Sequence, residues 1–191
     1  MMPRILITGP SGMGKTTLAK WVSQEWEIPF VSVSILRDIA KCNDIKTHQD
    51  VIDLAKIDPD KHDLLQWELL SERFQAFSAH QRSGFVTDRG HIDSLAYVRT
   101  QSYRDENWNK FLNLAKRMDR LFTHVIFIPF IEGWELEDDG KRIPNSDYQN
   151  LMTFMYEQQL GKFNRDKTCL ILKATDFEVR KSYVEDYINK Y

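Results

Sequence analysis

The chain has 191 residues, 42% of them hydrophobic, enough for one domain with a substantial core. Its 26 basic and 28 acidic residues leave a net charge of −2, which argues against a chain built for non-specific nucleic-acid binding and leaves room for a local basic groove. Cys42 and Cys169 make no disulfide framework, the histidines lack metal-ligand spacing, and no signal peptide or membrane-length apolar run is found, so a cytoplasmic protein is expected.

In chain order, the first element is an apolar strand at residues 4–8. It runs into Gly9-Pro10-Ser11-Gly12-Met13-Gly14-Lys15-Thr16, which fits the phosphate-binding pattern G-x-x-x-x-G-K-[ST]. A helical pattern over residues 14–26 follows, with Leu18, Ala19 and Val22 on one face. Strand, loop and helix agree, and the helix turns its positive end toward a bound anion. Gly9, Gly12 and Gly14 let backbone N–H groups reach phosphate oxygens. Ser11, Met13 and Thr17 belong to the same nucleotide-binding segment. Lys15 can reach the β- and γ-phosphates, and Thr16 can offer its hydroxyl to Mg²⁺.

A second strand is expected at residues 29–33, and residues 43–62 read as short helices or a loop. Residues 63–81 carry Leu65, Leu69, Leu70, Phe74 and Phe77 at a helical period, with Trp67 expected in the core. Gln66 on this helix is a candidate to contact an acceptor base.

The third strand, residues 84–88, ends in Asp88-Arg89, and after Gly90 a helix begins at residues 92–100. In parallel α/β proteins a polar pair at a strand's carboxyl end faces the ligand crevice. Asp88 is placed to serve Mg²⁺ through water, or to take the proton of an attacking hydroxyl. Arg89 can clamp a phosphate with two parallel hydrogen bonds. Asp93 is a further substrate-side candidate, although a carboxylate in a first helical turn also suits capping. From residue 97 to 111, Tyr103, Trp108 and Phe111 alternate with Arg99, Arg104 and Lys110, a pattern that either stacks on bases or fills a core.

A helix at residues 108–121 and a strand at 124–129 follow. Residues 131–148 then carry Glu132, Glu135, Glu137, Asp138 and Asp139 before Gly140-Lys141-Arg142. A long loop leaving the carboxyl edge of such a sheet reads as a lid. A helix at 148–163, a strand at 168–173 and a helix at 177–189 complete the chain. Alternating strands and helices predict an α/β fold: a five-stranded parallel sheet covered on both faces, as a single domain over residues 1–191.

The phosphate loop together with Thr87-Asp88-Arg89-Gly90 and Asp93-Ser94-Leu95-Ala96-Tyr97 resembles the P-loop nucleoside and nucleotide kinases. It is closest to the thymidylate kinases, whose D-R-Y and S-x-x-A-Y segments it echoes. Asp139-Gly140-Lys141-Arg142 is similar to the D-G-x-R lid sequence of ribosylnicotinamide-kinase-like proteins. The resemblance implies a P-loop NTPase fold with a lid, and ATP and Mg²⁺ as co-substrate and metal. It puts Asp88 and Arg89 at the acceptor and transferred phosphate, and Lys141 or Arg142 over the phosphates at lid closure. Arg37 falls where such kinases carry an acceptor-binding arginine, and the turn at residues 174–177 where they hold adenine.

The sequence also departs from these families. Many deoxynucleoside kinases end their second strand on an acidic base, where this chain reads Val31-Ser32-Val33-Ser34. Thymidylate kinases have an aromatic residue after the aspartate-arginine pair, where this chain has Gly90. The expected activity is ATP-dependent phosphorylation of a nucleoside or (deoxy)nucleoside monophosphate, a thymidylate-kinase-like deoxynucleotide as first choice, by a monomer or homodimer without membrane contact. Two alternatives are a phage-type kinase acting on 5-hydroxymethyluracil in DNA, and a P-loop ATPase or switch without an acceptor.

Overall fold

A computed structural model describes residues 2–34, 45–101, 105–134, 145–163 and 169–190. Its strands are β1 (Arg4–Thr8), β2 (Phe85–Thr87), β3 (His124–Phe127) and β4 (Cys169–Ile171). They form a parallel sheet in the order β2-β1-β3-β4. Side chains alternate across it, as the strand period of two requires. Leu6, Phe85, Val125 and Phe127 face one apolar cluster. Ile5, Ile7, Val86 and Ile126 face the other. Each strand is therefore apolar on both sides, which is why β1 can occupy the interior of the sheet.

Helices cover both faces. α1 (Lys15–Glu25) and α7 (Phe177–Lys190) close one face with Leu18, Val22, Val184 and Ile188. α3 (Pro59–Ala79), α4 (His91–Gln101), α5 (Asp105–Asp119) and α6 (Ser146–Phe163) close the other with Leu70, Phe77, Leu95, Phe111 and Tyr156. α2 (His48–Ile57) packs on α3 through Val51, Leu65 and Leu69.

The sheet has four strands where five were expected. Residues 29–33 do run beside β2, but a single parallel bridge, Phe30 to Val86, ties them to it. The Val31 N–H donates to Val86 O at 2.9 Å, and the Val86 N–H to Pro29 O at 3.0 Å. Pro29 has no N–H with which to continue the ladder. The segment still takes the fifth strand's place at the β2 edge.

Residues 43–62 were open between short helices and a loop; the described part contains α2 and the start of α3. Thr47 and Asp50 make a reciprocal capping box, with the Asp50 N–H donating to Thr47 Oγ1 at 3.1 Å and the Thr47 N–H to Asp50 Oδ2 at 2.8 Å. The N–H groups of Lys46 and Thr47 hold the exposed Asp50 carboxyl below its ordinary value. Asp58 caps α3 and Pro59 occupies its first turn, so α3 starts four residues before the apolar period becomes visible.

Candidate active site

The phosphate loop joins β1 to α1. Gly9, Gly12 and Gly14 have φ values of 138°, 83° and 74°, a region that side chains other than glycine's disfavour. At Gly9 the need is also steric, because a Cβ there would lie 2.1 Å from Ile128 O. Gly9→Ala should therefore cost about 2–4 kcal/mol of stability and deform the loop. Thermal melting and ATP titration of the variant check this; an unshifted melt with native affinity would refute it.

Lys15 is buried inside the loop, and its Nζ donates to Pro10 O. The Met13 side chain lies in the core, so only its backbone faces the loop. Ser11 Oγ lies 3.3 Å from the Tyr97 hydroxyl, while Thr16 and Thr17 open the first turn of α1 with exposed side chains.

Asp88 follows β2 and meets the loop directly. Its Oδ2 accepts from the Thr16 hydroxyl at 2.5 Å, and its Oδ1 from the Ser32 hydroxyl at 3.0 Å. Burial favours the neutral acid, but the Thr16 hydroxyl, Arg89, Lys15 and Ser32 outweigh it and hold the carboxyl below its ordinary value. The partly buried Arg89 is likewise disfavoured by burial, yet Tyr97, Tyr156, Asp93 and Asp88 hold its value above the ordinary one. Gly90 packs against Leu6, where an added Cβ would sit 2.8 Å from a Leu6 methyl. An aromatic residue at this position would have to push aside the buried Leu6 side chain, which fits the departure from the thymidylate-kinase pattern.

Asp93 sits within the interior, not on a wall open to ligand. It is fully buried and accepts from the Thr8 hydroxyl at 2.9 Å, the Gly90 N–H at 2.8 Å and the Tyr156 hydroxyl at 2.9 Å. Its carboxylate thus caps α4 and ties the end of β1 to α6.

Beyond Arg89 opens a crevice lined among others by Gln66, Arg73, Ser94, Tyr97 and Gln101. Sequence reasoning named Gln66 but missed Arg73. This arginine is 2% exposed, donating from Nε to Val33 O at 3.1 Å and from Nη1 to Gly90 O at 3.2 Å and Ser94 Oγ at 2.7 Å. Burial lowers its value to about 10, against the pull of Asp93, so it stays charged at neutral pH. Its signal was present: Arg73 falls seven residues after Gln66 on α3, in the stripe that buries Leu69, Leu70 and Phe77. A cation in a buried stripe is rarely there without a polar site to serve.

Arg180 on α7 was also missed. It donates from Nη1 to Met13 O at 2.7 Å and from Nε to Ala174 O at 2.6 Å, bracing the loop from behind. Trp134 covers its guanidinium at 4.6 Å and donates from Nε1 to Gly12 O at 3.1 Å. The turn expected to hold adenine thus adjoins the loop through Arg180.

The described part of the aromatic-basic segment packs within the protein. Phe111 is core, and the Trp108 ring is covered by Arg99 at 4.6 Å and Lys162 at 5.1 Å. Trp67, expected in the core, packs edge-on to Phe111 with Lys110 over its other side. Arg37, Lys141, Arg142, Tyr103, Arg104 and most of the expected lid lie outside the described residues.

A family model described as AAA domain matches residues 4–180, from β1 through the loop, the crevice and Arg180. The chain belongs to the AAA domain family. No curated protein matches it. Among solved structures, this AAA-domain protein is similar to NadR in complex with NR, at a TM-score of 0.69 and 16% identity over 98% of the chain. It spans about half of that protein, 52%. Deoxyadenosine kinase from M. mycoides, with dCMP and dCDP bound, aligns at a TM-score of 0.68 and 14% identity, covering 98% of this chain and 100% of that one. Shikimate kinase from Aquifex aeolicus aligns at 0.56 and 17%, covering 98% and 97%. The fold is that of the P-loop kinases. No helix among the described residues is long and apolar enough to cross a membrane.

Proposed function

We propose that this protein is a kinase that transfers the γ-phosphate of ATP to a nucleoside or nucleoside monophosphate seated in the crevice between Arg89 and Gln66. The observation that carries this reading is the position of Asp88. One of its carboxylate oxygens touches the phosphate loop at Thr16, and Arg89, the next residue, lines the crevice. A switch that only binds and hydrolyses nucleotide needs no such second pocket. The kinases among the structural neighbours support the same reading.

The residues present fit both expected cofactors. The glycine loop fits the triphosphate because Gly9, Gly12 and Gly14 hold positive φ angles that curl the backbone, and a Cβ at Gly9 would break that curl by meeting Ile128 O at 2.1 Å. Thr16 and Asp88 offer hard oxygen ligands suited to magnesium, Thr16 directly and Asp88 through water. When bound, the ion would neutralise charge on the β- and γ-phosphates.

The chain's own groups supply the rest. Lys15 offsets the phosphate charge from inside the loop, and Arg89 holds the transferred group on the acceptor side. The acceptor oxygen forms a bond to the γ-phosphorus as the bond to the bridging oxygen breaks and ADP leaves. With a hydroxyl acceptor, its proton passes to the ionised Asp88. With a phosphate acceptor no base is needed. Lys141 and Arg142 would close over the phosphates from the lid, Arg37 would bind the acceptor, and Asp93 would serve it indirectly by fixing Gly90.

Asp88→Asn should lower kcat for nucleoside phosphorylation by roughly 100-fold or more, as loss of a positioned base or metal ligand does. Because the Asp88 carboxyl is held below its ordinary value of 3.8, the acid limb it contributes should lie below that pH. Its stabilisation of the fold is present above 3.8 and fades as pH falls through the lowered value. The deciding experiment is γ-labelled ATP with a panel of nucleosides, nucleoside monophosphates and hydroxymethyluracil-containing DNA. Label appearing on no acceptor, with ATP hydrolysis unaltered by any of them, would overturn the kinase reading.

A further inference from the structure

The amide oxygen of Gln66 is an unpaired acceptor in a buried wall. Gln66 is 1% exposed, its Oε1 has no hydrogen-bond partner among the described residues, and it lines the crevice. An unmade hydrogen bond at such a site costs roughly 1–3 kcal/mol, so its persistence points to a ligand.

What aims this oxygen lies behind it. Gln66 Nε2 is 3.3 Å from His62 Nε2, and the same imidazole nitrogen is 3.2 Å from Gln101 Oε1. A neutral ring nitrogen either donates or accepts. It cannot donate to Gln101 Oε1 and also accept from the Gln66 amide. Asp63 breaks the tie. Its Oδ1 lies 3.7 Å from His62 Nδ1, while Asn107 Nδ2 donates to its Oδ2 at 2.8 Å. The carboxylate draws the proton to Nδ1 and leaves Nε2 an acceptor.

Burial holds His62 below its ordinary value despite Gln101 and Asp63, so the ring is neutral at pH 7. An oxygen facing that lone pair would be repelled, so Gln101 takes the reversed amide orientation and its NH₂ shares the Nε2 lone pair with the Gln66 amide. That orientation turns its oxygen toward the Tyr148 hydroxyl, already its hydrogen-bond partner.

We propose that His62, kept as the Nδ1–H tautomer by Asp63, locks the Gln66 amide with its oxygen facing the crevice, and so selects a nucleoside whose base carries an amino group there. His62 is a positioning residue, because it acts through Gln66. The assignment rests on the crevice taking a nucleoside, as proposed above. It predicts that an N–H donor on the base is required, and that a base with only acceptors on that edge is rejected.

The test compares deoxyadenosine with 2′-deoxynebularine, which lacks only the 6-amino group, by calorimetry on the intact protein. The same protein labelled with ¹⁵N-histidine reports the His62 tautomer by NMR. Deoxyadenosine should bind roughly 10- to 100-fold more tightly, with the proton of His62 on Nδ1. Gln66→Leu should bring the ratio below about threefold, and Asp63→Asn should move the tautomer toward Nε2–H and narrow the ratio. Equal affinities in the unaltered protein, binding of neither nucleoside, an undiminished ratio in Gln66→Leu, or a proton on Nε2 would each overturn the assignment. Tight, amino-dependent binding without phosphorylation would uphold it and sink the kinase reading instead.

Discussion

Lys15→Ala is expected to lower kcat/KM for phosphoryl transfer by roughly 1,000-fold or more, the scale on which cations at a transferring phosphoryl group act. Lys15 is 6% exposed, so its charge acts in a poorly hydrated place where little solvent screens it. Its Nζ rests on Pro10 O, a bond within the loop itself. The folded protein would lose this contact within the loop and the attraction to Asp88, and would shed a buried charge. Its melting temperature should shift by only about 2–4 °C. Lys15→Arg should not restore activity, since a planar guanidinium cannot replace a compact ammonium inside the arch. Steady-state kinetics beside a thermal melt separate the two effects. A Lys15→Ala protein with full turnover would remove the basis of the proposed chemistry.

The legible parts of this molecule were those with short-range causes. The phosphate loop could be read because glycine spacing, strand and helix adjoin in the chain. Asp88 and Arg89 could be read because strand ends have a fixed relation to a crevice. Four strands fell within a few residues of expectation, because runs such as Ile5-Leu6-Ile7 are apolar on both faces. The fifth weakened to one bridge, since pairing depends on a donor that Pro29 lacks. Hidden features were long-range. Arg180 reaches Met13 O across 167 residues, and Tyr156 reaches Asp93 across 63. Nothing local in the sequence marks such partners. Arg73 lies between these cases: its place in the buried α3 stripe was visible, but its partners Gly90 and Ser94 were not.

Asp93→Ala is expected to destabilise the fold by about 3–5 kcal/mol, which for a chain of this size lowers the melting temperature by about 10 °C or more. The carboxylate accepts three hydrogen bonds with zero exposure, from Thr8, the Gly90 backbone and Tyr156. Alanine would leave all three donors buried without an acceptor. Tyr156 cannot escape by ionising, because burial alone, the largest cause of its raised value, remains in the variant. Asp93→Asn keeps one amide oxygen and should lose less, with its NH₂ set against one of the same donors. The damage should spread to activity through geometry. Thr8 immediately precedes Gly9, and Gly90 immediately follows Arg89, so one carboxylate fixes the phosphate loop relative to the acceptor arginine. Melting curves and the KM for acceptor tell the two roles apart. A large fall in melting temperature with kcat and KM worsening together fits the tie. An unshifted melt with a raised acceptor KM alone would instead make Asp93 a direct substrate ligand.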